Sequence, residues 1–395
     1  MKRSLRIALL LTAAPLANCT GGIDTTTVPA GQGGEGPRAG LSPAVSDNPA
    51  RVAVDPTVDY GLALRSAAIK LTGNLPSAAD IKAVQTAADP AAAYAAQVDA
   101  YLKDPRFAKE QVAFWRNTMR MGGTAGGINF DAAPSFAAML VVQDRPITEL
   151  FTAKSGTCMG LSADGTTFSA ASCNTTNSGV NAAGVLSDPG ALSAFFASMG
   201  FRRARWINET FVCDKFPAER RADNAAKDPD APEGYFGPYP FKSIPDKPIN
   251  FQETAVICAN CHVTINRLTP IVGRYNASGA FTGATFGVNT PIATPRASLI
   301  SDFLTNTSES PAWRTGVPIA NMEDLGAAIT KDPDMPRCMV TRVWNWLFSR
   351  GDVIVDGAAL PPELVQPMAD EFVASKYNLK GVIRKAVLSP SFIRY

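Results

Sequence analysis

The chain has 395 residues, is 46% hydrophobic and 18% charged, and carries a formal net charge of +2. This length admits one large domain or several ordinary ones, and the composition excludes a disordered or collagen-like chain. With 37 basic against 35 acidic side chains there is no positive excess to follow a phosphate backbone, so no nucleic-acid partner is expected. Seven cysteines accompany a single histidine, which excludes any two-His metal site and any bis-histidine haem.

At the N-terminus Lys2, Arg3 and Arg6 precede an apolar run from Ile7 to Ala17, too short to span a bilayer and laid out as a secretory signal. The run closes on Leu16-Ala17-Asn18-Cys19, which resembles a bacterial lipobox with Asn18 in place of the usual small residue. Residues 1–19 therefore read as a lipoprotein-type signal peptide, with Cys19 lipidated. The alternative is a secreted protein cut nearby. Both export the chain, and the first anchors it to a bacterial membrane, by expectation the outer one, facing the periplasm or the cell surface. No later stretch reaches about 18 uninterrupted apolar residues.

Residues 20–50, rich in Gly, Thr, Pro and Ser, read as a flexible tether. A helical region over 51–151 follows. Leu62, Leu64, Ala67, Ala68 and Leu71 share helical spacing up to a stop at Gly73-Asn74, Ser77 and Asp89-Pro90 open further helices, and Phe107, Phe114, Trp115, Thr118 and Met119 form a core stripe. Residues 152–186 are a Ser/Thr/Gly-rich excursion in which Cys158 and Cys173 flank Asp164-Gly165, a turn dipeptide, so a disulfide-closed hairpin is expected. Helical character resumes at Pro189 and runs on past Phe201 to Phe211, inside a region over 187–300. Pro217 to Pro248 reads as a long surface connection. A C-terminal helical region over 301–395 contains helices at Met322–Thr330, Arg337–Phe348, Pro361–Ser375 and Leu379–Leu388. The fold class is mainly α, with helical domains around the 187–300 segment and a small β-hairpin insertion.

The chemistry lies in Cys258-Ala259-Asn260-Cys261-His262, the attachment sequence for one c-type haem. Residues i, i+3 and i+4 share one face of a helix, so Cys258 and Cys261 reach the two vinyl groups while His262 reaches the iron from the same side. Zinc wants further Cys or His ligands, and a thioredoxin-like dithiol wants a preceding strand. A disulfide between the two cysteines leaves His262 without a role. The sixth iron position falls to Met, another side chain, water or nothing. Met335 is the first candidate, with Met322 and Met339 behind it. One cysteine for lipid and two for haem leave Cys158, Cys173, Cys213 and Cys338. Of three possible pairings, Cys158 with Cys173 and Cys213 with Cys338 is favoured.

These residues resemble the planctomycete-type cytochrome c proteins, a large set of uncharacterised exported multidomain proteins. Arg274-Tyr275-Asn276-Ala277-Ser278-Gly279-Ala280-Phe281 is similar to that group's Phe/Tyr-Asp-x-x-Gly-x-Trp/Phe stretch after the haem motif, and His262-x-x-Ile265-Asn266 to its His-x-x-Ile-Asp. Leu71-Thr72-Gly73-Asn74-Leu75-Pro76-Ser77 and Asp104-Pro105-Arg106-Phe107 ahead of Trp115 resemble its N-terminal helical domain. Pro336-Arg337-Cys338 ahead of Trp344, and Tyr377-Asn378-Leu379-Lys380 through Ser389-Pro390-Ser391-Phe392, resemble its C-terminal one. Asn266 and Asn276 stand where Asp is common, and Arg267 where Pro is common. The resemblance implies an exported haem protein and supplies no substrate.

Three roles follow. The first is a monohaem c-type cytochrome passing single electrons between redox partner proteins. The second is a haem-dependent oxidase or peroxidase-like enzyme, for which no distal His and no catalytic constellation is available around the one His. The third is a helical binding or assembly module with a structural or sensory haem, for which the size of the body argues. Electron transfer is the favoured role, and no catalytic residue is assigned.

Overall fold

Four capped helices open the body. Asp59 accepts hydrogen bonds from the Gly61 and Leu62 amides and starts α1 (Tyr60–Thr72), which ends where Gly73 turns left-handed at φ 70°. Ser77 and Asp80 form a reciprocal capping box on α2 (Ala78–Gln85). Asp89 caps α3 (Pro90–Lys103), and α4 (Phe107–Met119) follows. The expected stripe of α4 is buried from Phe107 to Met119, as are Leu64, Ala67, Ala68 and Leu71 of α1. Leu62 differs: two residues before Leu64 it falls on the far side of the helix and is exposed.

The computed structural model describes residues 56–395 except 174, 216–255, 291–293, 305–309, 315 and 355–357, and leaves out the side chains of 198 and 256–263. Cys19, the signal peptide, the tether and the Pro217 to Pro248 connection lie outside the described residues.

After α4 a two-residue hairpin, β1 (Thr124–Ala125) with β2 (Ile128–Asn129), leads into α5 (Ala132–Val142) and the short α6 (Glu149–Thr152). Helix α5 is buried from Ala132 to Val141, so it has no solvent face. The 152–186 excursion contains the expected hairpin. Strands β3 (Met159–Leu161) and β4 (Phe168–Ala170) pair antiparallel, Gly165 takes the turn at φ 76°, and a Cys158–Cys173 disulfide closes the base.

The helix expected to run from Pro189 to Phe211 is broken. Helix α7 (Pro189–Ala194) ends early, Met199 and Gly200 take left-handed conformations at φ 58° and 85°, and α8 (Phe201–Phe211) starts afresh. At the bend Gly200 packs closely on the neighbouring element: a Cβ there would lie 3.3 Å from Thr269 Cγ2 and 3.4 Å from Gly273 Cα.

That element is α9 (Val256–Val272). A hairpin of β5 (Ala312–Trp313) and β6 (Val317–Pro318) follows, then α10 (Met322–Lys331), α11 (Asp334–Leu347), α12 (Pro362–Ala374), α13 (Leu379–Val387) and α14 (Pro390–Ile393). A Cys213–Cys338 disulfide fastens the end of α8 to α11. The start and end of the described body meet: Thr57 and Tyr395 exchange backbone hydrogen bonds at 3.1 and 3.0 Å, and the buried Tyr94 hydroxyl of α3 donates to the Val387 carbonyl at 2.9 Å. Residues 56–395 thus form one compact unit in which the first and last helices share a core. No described helix is long and apolar enough to cross a membrane.

Candidate haem-attachment helix and its surroundings

Helix α9 carries positions 258, 261 and 262 in an unbroken backbone helix, which sets them on one face. The side chains of Cys258, Cys261 and His262 lie outside the described residues. The same face continues through Ile265, Thr269 and Val272, all buried, so the helix is seated by its downstream half. Asn266, where the resembled group has Asp, is fully buried and its Nδ2 donates to the Phe303 carbonyl at 3.2 Å.

The C-terminal end of α9 is held by a residue that sequence reading missed. Arg203 of α8 is fully buried and meets no carboxylate in its described contacts. Its Nε donates to the Leu192 carbonyl at 2.6 Å, Nη1 to those of Val272 and Tyr275 at 2.9 and 2.6 Å, and Nη2 to that of Asn276 at 2.7 Å. Helix C-termini leave carbonyls unpaired and carry partial negative charge, so a cation is favoured there. Burial pulls the guanidinium down to about 9, which leaves it charged at neutral pH. Its face also covers the Phe196 ring at 5.0 Å. The signal was present: Arg203 precedes Ile207 by four residues and Phe211 by eight, on the apolar stripe, but the run Arg202-Arg203-Ala204-Arg205 looks like a solvated face.

Beyond α9 the Arg274 to Phe281 stretch is a tight loop. Asn276 Oδ1 accepts from the Ser278 amide, the Ser278 hydroxyl and the Ala280 amide at 3.0, 2.9 and 3.0 Å. An amide oxygen fills this acceptor role, so Asn in place of Asp does not disable the turn. Gly279, at φ 78°, has no room for a side chain, since a Cβ would sit 2.4 Å from the Pro189 carbonyl oxygen. Buried Asn177 completes the tie, donating to the Ser187 and Gly279 carbonyls and accepting from the Phe281 amide.

Between α9, the β5–β6 hairpin and the end of α10 lies a cavity of about 640 Å³, within the usual range for a bound small molecule. Thr264, two residues after His262, lines it together with Asp214, Trp313, Arg314, Lys331 and Asp332. Trp313 Nε1 donates to Asp332 Oδ2 at 2.8 Å. Burial raises the Asp214 carboxyl, Arg314 opposes that rise, and Asp334, Asp332 and Glu209 reinforce it. Burial works against the Arg314 charge, but its hydrogen bond to Asp334 and the neighbouring carboxylates push it up overall. Among the described residues no group of three or more His, Cys, Asp or Glu could hold a metal ion.

Met335, Met322 and Met339 are each buried in the core. Met335 lies in the first turn of α11, and its amide donates to the carbonyl of the cavity-lining Asp332 at 3.1 Å. The donor set Cys258, Cys261 and His262 on one helical face fits covalent haem.

Residues 48–138 match the PSCyt2 family, described as a protein of unknown function (DUF1549). The matched stretch takes in α1 to α4 and the start of α5, and stops well before α9. No curated protein and no solved structure matches the chain.

Proposed function

We propose that the protein is an exported monohaem c-type cytochrome acting in electron transfer, tethered through a lipidated Cys19 to a bacterial membrane and meeting redox partner proteins on the cell-envelope side. The observation that carries this reading is the Cys258-x-x-Cys261-His262 sequence within a single helix, α9. Similarity of residues 48–138 to a family whose name includes "Cyt" agrees with it. When bound, the haem supplies a one-electron couple.

The chain's own residues have plain tasks in this reading. Cys258 and Cys261 hold the group covalently, and His262 ligates the iron from the same helix. Arg203, through the Val272 carbonyl, fixes the far end of that helix. The loop locked by Asn276 and Asn177 follows directly on α9 and packs on the start of α7, while α9 itself sits against α8. Electron transfer needs no acid–base group, and Met335 is the candidate for the sixth position.

The visible spectrum of full-length protein matured in a host with haem-attachment machinery tests the role. A low-spin spectrum indifferent to carbon monoxide fits an electron carrier. A high-spin spectrum that shifts with carbon monoxide means an open iron, and oxidase or peroxidase-like chemistry replaces this reading.

A further inference from the structure

Where the first and last helices join, a cavity of about 420 Å³ opens between α1, the end of α11 and α14. Lys70 and Arg394 line it together with the hydroxyl-bearing Ser66, Ser349 and Ser391, and no Asp or Glu side chain does. Neither cation has a hydrogen-bond or ion-pair partner among the described residues. Lys70 is half-buried, which lowers its ammonium, and Glu110 opposes that fall from outside the lining. The backbone oxygen of Tyr395 is turned to the Thr57 amide, and its hydroxyl is 3.1 Å from Ser66 Oγ. An ammonium and a guanidinium among hydroxyls, with no carboxylate side chain to neutralise them, match the oxygens of a phosphate group.

The surroundings of the cavity are apolar. Val58, Leu62, Ile69 and Tyr395 are between 39% and 49% exposed, and Leu62 and Ile69 share a face of α1 with the exposed Arg65. The N-terminal segment enters the body at the same place, since Thr57 and Val58 pair with Tyr395 and Arg394. A flexible tether of the kind expected over residues 20–50 spans roughly 30 Å, so a lipidated Cys19 holds this surface within that reach of the bilayer. Exposed apolar side chains set among cations suit an anionic lipid surface. We propose that this end of the body docks on an anionic phospholipid surface, with a lipid phosphate held by Lys70 and Arg394 and with Val58, Leu62, Ile69 and Tyr395 against the boundary between headgroups and acyl chains. The inference rests on the reading of Cys19 as a lipid anchor for its proximity to the membrane.

The test is co-sedimentation of the full-length chain carrying Cys19→Ser, which cannot be lipidated, with vesicles of phosphatidylcholine alone or of an equal mixture with phosphatidylglycerol. The apolar run from Ile7 to Ala17 is common to every variant and cancels in the comparison. The mixed vesicles bind the chain more tightly, and salt weakens the preference. Lys70→Gln and Arg394→Gln each lower binding to the mixed vesicles about fivefold, and together roughly 30-fold. Ile69→Gln lowers it as well, whereas Arg337→Gln, at the end of α11 away from the cavity, leaves it unchanged. Thermal melts confirm that each variant is folded, and Arg394 and Ile69 are exposed enough to be replaced without loss of the fold. Binding by the double variant equal to that of the parent chain, or no preference for the mixed vesicles, overturns the proposal. So does inorganic phosphate that raises the melting temperature through Lys70 and Arg394 while the mixed vesicles bind nothing, because the site then takes a soluble anion. An exported wild-type chain whose intact mass lacks the lipid overturns the anchor reading instead, and the vesicle result stands apart from it.

Discussion

Arg203 Nη1 donates to the Val272 carbonyl at 2.9 Å, so a buried cation on α8 closes the last turn of the helix that bears the haem-attachment sequence. Four carbonyls converge on that guanidinium, three of them through buried bonds, and removing it leaves them without this donor. Arg203→Leu is expected to cost about 3–5 kcal/mol, read from urea unfolding. Arg203→Lys recovers only part of this, because an ammonium cannot span the fork. Loss of under about 1 kcal/mol in the leucine variant would mean the contacts contribute little.

The two disulfides should differ in weight. Cys158–Cys173 closes a separation of 15 residues and Cys213–Cys338 one of 125. Loop-closure entropy puts their removal at about 3 and nearly 5 kcal/mol, respectively. Alanine pairs at each bridge, compared by denaturant midpoint, should follow that order; the reverse order would show that native-state packing rather than chain entropy dominates.

Asp188 gives stability a pH dependence. Its carboxyl is buried, caps α7 through the Ala191 amide at 2.9 Å, and has one oxygen without a partner. Burial pushes it up to about 7, against a donated bond from Ala191 and another from Gly190. The folded state therefore holds a proton that the unfolded state releases near pH 4. Stability from this group is full below pH 4 and declines as pH rises towards 7. Asp188→Asn keeps the cap, removes the charge, and should be more stable than wild type at pH 8 with a flatter profile between pH 4 and 7. Parallel profiles for the two proteins would contradict this.

Asn276 separates acceptor from charge. Asn276→Asp keeps an oxygen for the Ser278 and Ala280 amides and should change stability by less than about 1 kcal/mol, whereas Asn276→Ala strands those donors at about 1–3 kcal/mol. Thermal melts of the two variants that coincide would remove the loop from the account.

The first and last helices were legible because their signals are local. Ser77 with Asp80 and Asp89 with Pro90 mark helix starts by side chains that bond their own backbone, and the four expected C-terminal helices lie within a few residues of those observed. Helix α5 was not legible, since a short run buried on every side has no apolar period. The break at Met199 and Gly200 packs against α9, about 70 residues away in sequence, and no local pattern announces it. At the site, the Cys258, Cys261 and His262 spacing could be read directly, and the favoured pairing of Cys213 with Cys338 is the one observed.

Haem content of the full-length protein, matured with haem-attachment machinery and read by the pyridine haemochrome spectrum and intact mass, tests the central claim. The account predicts one covalently bound haem per chain, lost in Cys258→Ala/Cys261→Ala and retained in Cys158→Ala. A wild-type chain at the mass of the bare polypeptide, or haem that survives loss of both cysteines, would contradict it.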